Sequence, residues 1–141
     1  MPVRRHALRL GRATLGAMAH ASADALGRHG EDLAAQFVAT NGYRVVARNW
    51  RSPDLRVRGE LDLVLREGPT LVFCEVKTRT SAAYGLPAEA ISPAKRRKLR
   101  RLAMVWLRVN RGPFTEVRFD VIAVLAPRCG AASLEHLKGA F

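Results

Sequence analysis

Apolar positions recur at helical spacing from Ser22 to about Asn41, where Leu26, Leu33, Ala34, Phe37 and Val38 form one stripe and Gly42 supplies a stop. Tyr43 to Asn49 changes to the pattern of a strand, and Trp50 to Arg58, containing Ser52-Pro53-Asp54, reads as a loop. Two further apolar segments follow: Gly59-Glu60-Leu61-Asp62-Leu63-Val64 and Leu71-Val72-Phe73-Cys74-Glu75-Val76-Lys77. Glu67-Gly68-Pro69 divides them, which predicts a β-hairpin. After a loop from Arg79 to Pro87, Ser92-Pro93 offers an N-cap and a first-turn proline to a helix reaching about Asn110. Its stripe is Leu99, Leu102, Trp106 and Val109, and Gly112-Pro113 ends it. Val117 to Leu125 then alternates Val117, Phe119, Val121 and Ala123 as another strand. The predicted order is helix, three strands, helix, strand and a short tail. Such an order gives an α/β domain with a mixed sheet flanked by helices.

The hairpin carries charges where apolar strands least tolerate them. Period two places Glu75 and Lys77 on one face of the second strand, with Val72, Cys74 and Val76 on the other. In the first strand Asp62 faces away from Leu61, Leu63 and Leu65, so pairing brings it beside Glu75 and Lys77. Two carboxylates and a lysine set among apolar strands require mutual pairing, solvent or a metal ion.

Composition narrows the setting. A chain of 141 residues, 48% apolar, is long enough for one cored domain and too apolar for global disorder. No run approaches the ~18 apolar residues of a membrane span, so no membrane partner is expected. Cys74 and Cys129 lie far apart in no metal-ligand spacing, which suits a reducing cytoplasm. Near the start, Arg4-Arg5 and the leucines after it resemble an export signal, but Arg9, Gly11 and Arg12 interrupt any apolar region. Residues 1–26 are therefore expected to be a basic, loosely ordered extension, with a fraying helix at most, and 27–141 a single domain.

Charge adds a partner. Lysine and arginine number 24 against 12 acids, a net charge of +12. Lys95, Arg96, Arg97, Lys98, Arg100 and Arg101 concentrate six of those cations in seven positions. A basic run alone often marks a solvated helix face. Here it follows a candidate metal site within an already basic domain, which favours a polyanion such as nucleic acid.

Several ordered motifs carry a family resemblance from Gly27 almost to Phe141. They are Gly30-Glu31-Asp32-Leu33-Ala34, Asn49-Trp50-Arg51, Gly59-Glu60-Leu61-Asp62-Leu63 and Phe73-Cys74-Glu75-Val76-Lys77. Further on come Tyr84-Gly85-Leu86-Pro87-Ala88-Glu89-Ala90, Lys95-Arg96-Arg97, Arg118-Phe119-Asp120-Val121 and the segment from His136 to Phe141. Together they resemble the YraN family of bacterial candidate endonucleases within the PD-(D/E)XK nuclease superfamily, and they are similar to archaeal Holliday-junction resolvases. The connection from Arg51 to Gly59 is longer than the family pattern.

The resemblance implies a restriction-endonuclease-like fold and a magnesium-dependent endonuclease, with manganese as a substitute ion. It implies branched or structured DNA as partner, and a homodimer. Asp62 and Glu75 fit the ligand positions, with the Val76 carbonyl as a third, because magnesium takes hard oxygen donors. Lys77 fits the residue that orients or activates the attacking water. Glu31, on the first helix, takes a supporting metal or water role. Lys95, Arg96, Arg97, Lys98, Arg100 and Arg101, with Arg79, form the expected DNA surface, and Lys95, Arg96, Arg100 and Arg79 are the expected phosphate contacts. Pro53-Asp54 spells the superfamily's dipeptide, but it has the chemistry of a turn, and Asp62 is the better match on strand placement. Asp120 stays outside the site as a partner for Arg118 or for groups near Lys77, and His29 is expected on the helix surface. The alternative function is a nucleic-acid-binding protein of nuclease ancestry without turnover. A basic RNA- or ribosome-associated protein is supported by charge alone.

Overall fold

A computed structural model describes residues 4–9, 22–81 and 91–141. The elements run β1 (Arg4–Arg9), α1 (Ala23–Thr40), β2 (Arg44–Arg51), β3 (Glu60–Glu67), β4 (Thr70–Arg79), α2 (Pro93–Val109), β5 (Glu116–Leu125) and β6 (Ser133–Lys138). All six strands join one sheet in the order β1-β6-β5-β4-β3-β2. Only β4 and β5 pair in parallel, and α2 lies in the connection between them, as a parallel crossover requires. The result is a mixed α/β architecture.

Each helix begins where its sequence can satisfy free N–H groups. The Ser22 side chain accepts from Ala25 N, and the Ser92 side chain accepts from Lys95 N with Pro93 opening the first turn. α1 buries Leu33, Ala34, Phe37 and Val38 against Leu63, Leu65, Val72, Cys74, Ile122 and Val124. On the other side of the sheet α2 buries Leu99, Leu102, Ala103 and Trp106 against Leu61, Val64, Leu71 and Phe73. Central β4 is thus apolar on both faces, the condition of a strand covered by helices on each side. No helix among the described residues is long and apolar enough to cross a membrane.

Gly30 sets the distance between α1 and β4. A Cβ at this position would lie 1.8 Å from the Thr78 hydroxyl oxygen, so only glycine allows the helix so near. Gly30→Ala is expected to destabilise the fold by roughly 1–3 kcal/mol, the usual penalty of overpacking. Chemical denaturation checks it, and an unchanged midpoint would mean that α1 shifts from β4 at little cost, since rotating Thr78 leaves its Cβ 2.8 Å from the added carbon.

The structure corrects the expected order in two places. Residues Arg4–Arg9 are neither a loose extension nor a fraying helix, because they pair antiparallel with β6 from Arg4↔Lys138 to Arg9↔Ser133. The expected tail contains β6 itself, which also pairs with β5. Its alternation is concealed because one inward position is His136, 1% exposed and held by a buried acid. Two smaller corrections concern Val109 and Val117, assigned to apolar stripes but exposed at the ends of their elements. The Tyr84–Ala90 motif lies outside the described residues.

Candidate functional site

The β3–β4 ladder runs from Glu67↔Thr70 to Leu63↔Cys74. One step further, the Val76 N–H donates to the Asp62 side chain, Oδ2, at 2.9 Å. A carboxylate thus takes the place of a main-chain acceptor where the ladder ends. Glu75, from the adjoining strand, is 6% exposed and faces the α2 side. The Lys77 Nζ stands 3.9 Å and the Lys95 Nζ 3.5 Å from Glu75 Oε1. Among the described residues Glu75 Oε2 is buried without a hydrogen-bond partner.

Electrostatics follow from that crowding. Burial first, and the Asp62 charge second, push the Glu75 carboxyl from its ordinary 4.5 to about 7, although Lys95 and Lys77 oppose the shift. Burial also raises Asp62, offset by the Val76 N–H, a hydrogen bond with Glu75 and the Lys95 charge. Two carboxyls sharing one pocket cannot both ionise cheaply, so without a cation the pair holds a proton up to about pH 7.

Glu31 reaches this region from α1 without entering the pair. Burial and the Asp62 charge raise its carboxyl, against a hydrogen bond from Asn49. With its amide nitrogen turned toward the acids, Asn49 donates to Glu31 Oε2 at 2.9 Å and to Glu60 Oε1 at 3.2 Å. Asn49 occupies left-handed backbone space, φ 48°, which asparagine tolerates better than most residues. Among the described residues no three His, Cys, Asp or Glu side chains form a metal cage. Glu31 therefore stands beside the Asp62–Glu75 pair, as a neighbour that can order water. Two carboxylates with an orphaned buried oxygen still suit magnesium, which usually takes one or two protein carboxylates and completes its shell with water or phosphate.

The basic helix is divided among different tasks. Lys95, expected at phosphates, sits against Glu75. The Arg96 Nε donates to the Ile91 carbonyl at 3.1 Å, and the Arg100 guanidinium lies over the Phe119 and Phe141 rings at 5.8 and 5.9 Å. Arg79 is half-buried and has its own intramolecular interactions. Arg97, Lys98 and Arg101 remain exposed.

The rejected acids have structural work. Asp54 accepts from the Arg56 N–H at 2.8 Å and faces Arg108 at 3.7 Å, which is turn chemistry as expected. Asp120 is 0% exposed, clasped at both oxygens by Arg118 at 2.8 and 2.9 Å and touched by His136 at 2.7 Å. It belongs to the α1 side of the sheet. His29 corrects the expectation of a surface residue: it is half-buried, and its Nε2 is buried without a partner. Sequence reasoning missed Asn49 and Glu60 as site neighbours, although both lie in motifs that it had marked.

Comparison with known proteins gives a family for the chain. The model of the uncharacterised protein family UPF0102 matches residues 30–124. A UPF0102 protein of Beutenbergia cavernae is 53% identical over 116 residues, covering 82% of this chain and 95% of the relative. Those of Nocardia farcinica and Frankia alni are 47% and 48% identical, covering 83% and 88% of this chain and 89% and 100% of the relatives. With that match across most of its length, the chain belongs to the uncharacterised protein family UPF0102.

Proposed function

We propose that this protein is a divalent-cation-dependent endonuclease that hydrolyses phosphodiester bonds in branched or otherwise structured DNA. The observation that carries the reading is Glu75: buried, raised to about 7, one oxygen orphaned, and facing a second acid on the neighbouring strand. Such a pair is destabilising without a cation, and functional sites are where strongly perturbed groups gather. The order of Asp62, Glu75 and Lys77, which resembles the PD-(D/E)XK pattern, supports phosphodiester chemistry.

Asp62, Glu75 and the Val76 carbonyl would hold the ion. Bound magnesium or manganese supplies charge neutralisation at the phosphate and a more acidic water. Lys77, one-third exposed, orients the attacking water and offsets charge on the phosphate. Lys95 approaches the same carboxylate from α2 and offsets part of the repulsion between Glu75 and Asp62. Glu31, steadied by Asn49, orders water at the rim.

A panel of linear, flapped, single-stranded and four-way-junction DNAs, with and without magnesium or manganese, tests this reading. Cleavage is expected only with the ion, and Lys77→Ala should slow it by roughly 10²–10⁴-fold. Cleavage that ignores the ion or survives Lys77→Ala unchanged would refute the assignment. The two lysines around Glu75 favour a second reading, a DNA-binding protein of nuclease ancestry. Tight binding with no cleavage under any ion would support it.

A further inference from the structure

The connection between β2 and β3 has a definite shape. The Ser52 N–H donates to the Gly59 carbonyl at 3.0 Å and the Val57 N–H to the Asp54 carbonyl at 3.1 Å. Asp54 holds the Arg56 N–H, and Val57 packs into the α2 core. This closed turn leans on α2 at Gly59, where an added Cβ would meet Lys98 Cε and Leu102 Cδ1 at 2.9 Å. Gly59 has φ +149°, a conformation that also favours glycine.

Between turn and helix lies a cleft of about 340 Å³ lined by Arg56, Arg58, Arg97, Lys98 and Arg101, with Val57 and Ala94. It contains five cations and no acid. On α2, Arg97 and Arg101 are i,i+4 neighbours and Lys98 and Arg101 are i,i+3, so all three side chains emerge together. Among the described residues none of the five forms an ion pair. Uncompensated like charges converging on a cleft weaken the fold unless an anion fills it.

We infer that this cleft is a seat for the phosphodiester backbone of DNA, on a track leading to the Asp62–Glu75 pair. The inference rests on the proposed function and identifies where the strand lies. Arg58 is four residues from Asp62, so their Cα atoms are at most about 13 Å apart along an extended chain. With one phosphate per ~3.4 Å of helix axis on each duplex strand, that Cα span corresponds to roughly four phosphates. Contacts of this kind fix register without reading bases.

Fluorescence anisotropy with labelled single-stranded and duplex DNA across a salt series tests the seat. The full chain carrying Glu75→Gln serves as parent, so cleavage does not intervene. Arg56→Ala/Arg58→Ala and Arg97→Ala/Arg101→Ala should each weaken binding and reduce the logarithmic salt slope on duplex by roughly 1.8. Arg56→Lys/Arg58→Lys should restore the slope, and Arg111→Ala, exposed beyond α2, should leave it unchanged. A full slope in both arginine pairs, with unchanged melting, would overturn the seat while leaving the nuclease reading intact. Absence of DNA binding by the parent and the wild type at every salt concentration would overturn both.

Discussion

Glu75→Gln is expected to abolish ion-dependent cleavage and at the same time stabilise the ion-free protein. Without Glu75 the proposed site loses one of its two carboxylate ligands and with it the ion that neutralises the phosphate and acidifies the water. The stability change follows from linkage. Folded Glu75 keeps its proton up to about pH 7, whereas the unfolded chain releases it near 4.5. Between those values the folded state binds more protons, so wild-type stability falls as pH rises, and the full penalty is present above pH 7. Glutamine carries no such penalty. Denaturation in a chelator should find the two proteins alike below pH 4.5 and the variant ahead by on the order of 3 kcal/mol above pH 7. A difference that stays flat between pH 5 and 8 would show that the two acids do not contest one pocket.

Asp120→Ala should act in the opposite way, with a large loss of stability from a residue outside the site. Removing it leaves Arg118 and His136 without their buried partner and the Gly139 N–H without an acceptor. Breaking a buried ion pair from one side typically costs about 3–5 kcal/mol. Burial pushes the Asp120 carboxyl up, but His136, Arg118 and the Gly139 N–H outweigh it and hold the group below its ordinary 3.8. Its stabilisation is therefore present above that value and lost as pH falls through the depressed one. The gap between wild type and variant should be widest at neutral pH and narrow in acid. A cost under about 1 kcal/mol at pH 7 would mean that water readily replaces the carboxylate.

What the sequence made legible depended on local rules. Period two in β4 was enough to separate Glu75 and Lys77 from Val72, Cys74 and Val76, because strand facing is fixed by the backbone. Ser92 announced its helix by another local rule, the hydrogen bond of an N-cap to the first turn. The place of Lys95 against Glu75 was not legible, because it depends on how α2 crosses the sheet, a tertiary matter that a charge run does not encode. The rings under Arg100 were hidden for the same reason, since they come from β5 and the chain's last residue. β6 escaped because burial of His136 is licensed by Asp120, 16 residues away, and a histidine breaks the apolar count. The role of Asn49 depends on a positive φ, for which the sequence carried no distinct signal.

The Asp62–Val76 hydrogen bond makes one backbone amide a witness to the site. Most sheet amides report on strand pairing alone, because both donor and acceptor belong to the main chain. The Val76 proton instead answers to an ionisable side chain, and so its chemical shift and its rate of exchange with solvent are tied to the charge on Asp62. Proton uptake at the acid pair and fraying of the β3–β4 junction are then two aspects of one equilibrium. A label-free spectrum of the resting protein has access to both.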